Sequence, residues 1–89
     1  MRFALICNDK AGALEIRKAN REAHLAYLAE TKAELAGPFL DAEGNMNGSL
    51  VVIEAADRAA AEAWAANDPY AKAGLFASVE IREWKKVIG

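Results

Sequence analysis

A single histidine, His24, stands in the stretch REAHLAYL, and two arginines, Arg17 and Arg21, precede it by seven and three residues. If that stretch is helical, each residue advances by about 100°, so Arg17 lies about 20° and Arg21 about 60° from His24 around the axis. An imidazole and two guanidinium groups then share one side of a helix. Histidine is the side chain whose charge changes near neutral pH, so this grouping suits proton transfer, with cations at hand to hold an anionic or carbonyl oxygen. Asp68, at the head of DPYAKAG, is the carboxylate to consider as a partner that orients the ring and favours its protonated form. Two readings of His24 stand side by side. One is a half-buried imidazole bonded to a backbone carbonyl, and the other is a group that moves a proton. Asp68 likewise reads as the N-cap of a short turn, with Pro69 in the first helical position, a role compatible with pairing. Arg17 and Arg21 read either as solvated helix charges or as substrate contacts, Tyr70 and Phe76 as core or interface aromatics, and Ser49 as the end of a hairpin turn. Trp64 and Trp84 are assigned to packing.

Other chemistries find less support. No second histidine or thiolate stands at ligand spacing from His24, so no metal site is expected, and no cofactor-binding glycine pattern, phosphate loop, nucleophile elbow or His-Glu-x-x-His motif is present. Cys7 lies alone in the apolar run RFALIC, which reads as a buried strand; such surroundings raise a thiol's pKa and argue against a nucleophile. One cysteine allows no intrachain disulfide, which fits a reducing compartment. The net charge of −2 is spread without a basic stripe, and the last strand lacks a stacking pair of aromatics, so nucleic acid is a poor partner. The opening residues are too short for a secretory apolar region, and no run approaches the roughly 20 apolar residues of a spanning helix. A cytoplasmic location without membrane attachment is expected.

The elements that must position these residues follow from hydrophobic period and turn chemistry. The 89 residues are read as one domain, 1–89, small enough that pairing with a second copy would add needed stability. RFALIC predicts a strand stopped by Asn8-Asp9. From Lys10 to Ala36, Ala11, Leu14, Leu25, Leu28 and Leu35 recur at helical spacing, and Gly37-Pro38 is expected to end that helix. PFLD predicts an edge strand, AEGNMNG a hairpin turn, and SLVVIEA a stronger strand. Asp57 is the expected cap of a second helix through RAAAEAWAA. Gly74 closes the turn begun at Asp68, and LFASVEIREWKKV alternates Val79 and Ile81 against Ser78, Glu80 and Arg82 as a half-buried final strand. The order β-α-β-β-α-β predicts an α+β, ferredoxin-like fold: an antiparallel sheet with both helices on one face and the other face open to a second copy.

REAHLAYL, LAGPF, NGSLVVIEA and ANDPYAKAGLFASVEIREWKKV, in this order and spacing, resemble the YciI-like family of small bacterial proteins, over nearly the whole chain. The resemblance implies a ferredoxin-like protomer that pairs into a dimeric α+β barrel. It also implies a site built on a histidine and an aspartate, which map onto His24 and Asp68, with Ser49 as a pocket neighbour. A few similar proteins are dehydrochlorinases of chlorinated hydroxyquinones, and the fold also hosts muconolactone isomerases. Two functions are therefore carried forward. The first is a cofactor-independent enzyme that moves a proton on a small cyclic or enolisable molecule. His24 and Asp68 would be its catalytic pair, with Ser49, Arg21, Arg17 and Tyr70 as substrate contacts for an anionic or carbonyl oxygen. The second is a non-catalytic small-molecule-binding or accessory homodimer, in which His24 and Asp68 only fix the helix.

Overall fold

The computed structural model describes all of residues 1–89. Seven elements follow one another: β1 (Arg2–Asp9), α1 (Leu14–Glu30), β2 (Leu35–Leu40), β3 (Met46–Glu54), α2 (Arg58–Asn67), the one-turn α3 (Pro69–Lys72) and β4 (Phe76–Glu83). The strands form one antiparallel sheet in the order β2-β3-β1-β4, with the helices packed on one side, which is the expected ferredoxin-like α+β arrangement. No helix is long and apolar enough to cross a membrane.

Register decides which side chains meet the helices. Phe3 pairs with Ile53, Leu5 with Val51 and Cys7 with Ser49, and these inward rows, with Ala61 of α2, form the core. Leu28, Trp64, Phe76 and Ile81 close over it. A second, smaller cluster of Ala13, Tyr70 and Leu75 lies beneath the turn that leads into α1. The opposite sheet face carries Ile6 and Leu50, with Leu35 and Phe39 exposed on β2 beside them. It has no covering layer within the chain.

Several boundaries differ from the expectation. The first helix ends at Glu30, not Ala36, and Gly37-Pro38 lies inside β2. The chain reverses at Lys32, which takes a left-handed φ of 57°, while Lys32 N–H donates to the Ala29 carbonyl and Ala33 N–H to the Leu28 carbonyl. This is the closure usually made around a glycine; here a lysine occupies the left-handed position, so the usual stop signal is missing. Leu35 therefore belongs to a strand and not to the helical row in which its spacing placed it. Pro38 is tolerated because β2 is an edge strand, paired with β3 on one side only. At its start the helix begins only at Leu14, after a tight turn with Gly12 at φ 69°.

The expected cap of α2 and the expected hairpin are both present. Asp57 Oδ1 accepts from Ala60 N–H at 2.8 Å and caps α2. The β2–β3 hairpin is held by Asp41, whose Oδ1 accepts from the amides of Glu43 and Asn45. On β4 the inward Ile81 is half-buried, but Val79 stays exposed because β4 is the other edge of the sheet. Trp64 packs against the core at 5.0 Å from the Tyr27 ring. Trp84 lies outside both core clusters, partly exposed just beyond β4, where its backbone N–H donates to the Arg2 carbonyl.

Candidate functional site

The most buried residues of α1 are polar. Arg17 is 2% exposed and His24 5%, whereas Leu25 beside them is 48% exposed. Two turns apart, Arg17 and His24 point down from the helix onto the sheet, where a leucine stripe would be the ordinary solution. Each buried polar group must then find partners, and both do.

His24 is met by α3. Asp68 caps this helix, its Oδ1 accepting from Tyr70 N–H at 3.0 Å, and the same oxygen lies 2.8 Å from His24 Nδ1. A carboxylate can only accept, so Nδ1 carries the proton of that bond and Nε2 is the nitrogen left over. Nε2 has no protein partner, and it is not among the fully buried unsatisfied atoms. The cap places Tyr70 so that its ring stacks on the imidazole, with centroids 3.9 Å apart and planes 14° from parallel. Phe76 braces Tyr70 edge-on.

Arg17 is met by the sheet. Asp9 continues the inward row of β1 after Phe3, Leu5 and Cys7, at the point where pairing with β4 slips by one residue. Its carboxylate takes Arg17 side-on: Nε to Oδ2 at 2.7 Å and Nη2 to Oδ1 at 2.8 Å, both side chains almost fully buried. Nη2 also donates to Ser49 Oγ at 2.9 Å, and the guanidinium carbon sits 4.7 Å from the centre of the Tyr70 ring. Burial works against the Arg17 charge, but the hydrogen bonds and field of Asp9 outweigh it, so the Arg17 pKa ends above its ordinary value. Burial raises the Tyr70 phenol, against the opposing pull of Arg17. Burial also pushes the Cys7 thiol up to about 12, with Asp68 adding to the effect, so Cys7 stays protonated and is no nucleophile at neutral pH.

Between α1 and the β2–β3 hairpin these groups line a surface cavity of about 160 Å³. Arg17, Arg21, His24, Ser49 and Tyr70 form its polar side, while Leu25, Leu28, Pro38 and Met46 supply apolar wall. An apolar cavity of about 150 Å³ admits benzene, so one six-membered ring sets the scale here. Of the residues expected to form the site, Arg17, Arg21, His24, Ser49 and Tyr70 line this cavity, and Asp68 stands behind His24, bonded to it and outside the lining. Arg21 is exposed at the mouth and has no ion-pair partner. The solvated-charge reading of Arg17 is wrong: it is sealed and neutralised. Asp9 was read only as a strand stop, yet it anchors half of the site. Its position on the alternating inward row of β1 is the signal that pointed there.

No group of three or more His, Cys, Asp or Glu side chains is arranged to hold a metal ion. What the arrangement offers is a fixed imidazole with one free nitrogen, a hydroxyl and an unpaired guanidinium around a ring-sized hollow.

The chain is similar to known proteins over nearly its whole length. The YCII-related domain matches residues 1–85. An uncharacterized protein of Haemophilus influenzae is 38% identical over 97 residues, covering 98% of this chain and 99% of that protein. Protein YciI of Escherichia coli is 37% identical over 97 residues with the same coverage. Among solved structures, 5-chloro-2-hydroxyhydroquinone dehydrochlorinase (TftG) from Burkholderia phenoliruptrix, in complex with 2,5-dihydroxybenzoquinone, superposes with a TM-score of 0.89 at 37% identity. That superposition covers 96% of this chain and 94% of the other. On its sequence, over nearly its full length, this chain belongs to the YCII-related family.

Proposed function

We propose that this chain is a cofactor-independent enzyme that transfers a proton on a small cyclic or enolisable molecule, in the manner of a dehydrochlorinase or isomerase. The observation that carries the reading is His24: Nδ1 is tied to Asp68 while Nε2 is left unpartnered at the wall of a hollow one ring in size. The likeness to a dehydrochlorinase solved with a dihydroxybenzoquinone supports the same class of substrate.

In this reading His24 Nε2 takes an O–H or acidic C–H proton from the substrate, and Asp68 stabilises the imidazolium that forms. The electron pair left on the substrate then has two outlets. It expels a leaving group such as chloride, the net loss being the acid HCl, or it is reprotonated at another carbon by the same imidazolium, which gives an isomer. The developing oxyanion is held by Arg21 at the mouth and by the Ser49 hydroxyl, with Arg17 and Tyr70 forming the floor. One positioned acid–base group supplies about 10²–10⁴-fold, enough for an activated substrate of this kind. The protomer acts as a cytoplasmic homodimer, paired through the open sheet face where Ile6, Leu35, Phe39 and Leu50 lie.

The test is turnover of 5-chloro-2-hydroxyhydroquinone, followed by chloride release, with binding of 2,5-dihydroxybenzoquinone measured in parallel. His24→Ala is expected to lower turnover by about 10²–10⁴-fold while probe binding changes by a few-fold at most. Turnover surviving intact in His24→Ala overturns the proposal. Probe binding without any turnover in the native chain favours the non-catalytic ligand-binding dimer.

A further inference from the structure

Ser49 raises a question of its own. Its side chain is buried, it accepts from Arg17, and it donates to no protein group. Arg17 points an N–H at the oxygen, so the hydroxyl's own proton must turn elsewhere, and the cavity that Ser49 lines is the place left for it. What holds Arg17 in that attitude is Asp9. One hydrogen of Nη2 goes to Asp9 Oδ1 and the other to Ser49 Oγ, while Nε locks the second carboxylate oxygen. A planar fork fixed at two points cannot swing, so its third bond is aimed rather than merely available.

We propose that Asp9 is a positioning residue of the site: its two-point grip on Arg17 aims Nη2 at Ser49 and thereby presents the Ser49 hydroxyl proton to an oxygen of the bound ligand. The ligand here is that of the function proposed above, and the inference rests on that reading. Asp9 has a second effect through charge. It cancels Arg17 inside the protein, which leaves Arg21 as the cation without a carboxylate partner at the cavity. A ligand would then meet a neutral hydroxyl donor on the floor and a positive charge at the mouth. That arrangement suits a ring bearing one ionised oxygen and one carbonyl oxygen.

The experiment is a double-mutant cycle on affinity for the dihydroxybenzoquinone probe, with Asp9→Asn, Ser49→Ala and the two combined. Each single change is expected to weaken binding by about three- to tenfold, the size of one lost hydrogen bond. The combined variant should be no weaker than the worse single one, because both changes remove the same bond to ligand. Losses that multiply overturn the proposal, since a merely structural Asp9 would act equally in either background. Should Asp9→Asn fail to fold, Arg17→Lys takes its place: it keeps a cation but lacks the fork, and the same non-additivity with Ser49→Ala is expected. An Arg17 Nε–H nuclear magnetic resonance signal supplies a readout that needs no ligand. It should exchange slowly with water in the native chain and fast in Asp9→Asn. If the native chain does not bind the probe, the proposed function falls, while slow exchange persisting in Asp9→Asn overturns the role of Asp9 by itself.

Discussion

Alkali should unfold this chain partly through Cys7. The thiol lies on the inward row of β1, opposite Ser49 on β3 and buried to 3% exposure. In the fold its pKa rises from the ordinary 9.0 to about 12, because a thiolate there would lose its water and face the charges of Asp68 and Asp9, with Arg17 offsetting only part. In the unfolded chain the thiol ionises near its ordinary value. Below that value both states are protonated and pH has no effect through this group. Above it the unfolded chain has released a proton that the folded chain retains, so the unfolded state binds fewer protons and stability falls with rising pH. The slope reaches about 1.4 kcal/mol per pH unit, and the loss from about pH 8 to pH 11 sums to roughly 2.6 kcal/mol. Lysines and tyrosines titrate over the same range, so the quantity to read is the difference between the native chain and Cys7→Ala. That variant carries its cavity cost at every pH alike. Urea denaturation across this range should show the gap between the two proteins closing or reversing as pH rises, while ultraviolet absorbance shows no thiolate in the folded chain until well above its ordinary pKa. Parallel stability profiles, or a thiol that ionises at its ordinary pKa in the folded protein, would refute the burial argument.

Two further outcomes are expected. Arg21→Gln removes an exposed cation without an ion-pair partner, so stability should stay within about 0.5 kcal/mol while affinity for the dihydroxybenzoquinone probe drops several-fold and loses salt dependence; isothermal titration at two salt concentrations checks this, and unchanged affinity refutes it. Leu35→Lys places a charge on the open sheet face and should turn a dimer into a monomer in sedimentation, with the helix content kept; a native chain that already sediments as a monomer refutes pairing through that face.

Much of this architecture is legible in the sequence, because its signals are local. Apolar runs marked β1 and β3, alternation marked β4, Asp57 and Asp68 announced their caps, and glycine with asparagine marked the hairpin. The helix stop was illegible for a physical reason. Lys32 carries the left-handed turn that glycine normally signals, and the following Glu34, Leu35 and Ala36 are good helix formers that the β3 edge recruits as a strand through Glu34 N–H and the Val52 carbonyl. His24 and Arg17 were placed on one side by simple helical geometry, and that held. Pairing His24 with Asp68 drew on family resemblance, since no local pattern links two residues 44 apart. Asp9 escaped because a charged residue after an apolar run looks like a strand ending. The strand in fact runs on to Asp9, the next place on the inward row after Cys7, and there it meets Arg17, eight residues further along the chain.

The stacked tyrosine and the shared oxygen of Asp68 carry a consequence for how the chain matures. Tyr70 and Asp68 come from the last third of the sequence, whereas the imidazole and the guanidinium they meet come from the first third. A nascent or truncated chain holding only the earlier segments exposes a lone imidazole in water, with the chemistry of free histidine and nothing more. The imidazole is thus clasped only once the late segment docks on the early one, and loss of that clasp would be an early sign that the final helical turn has come undone.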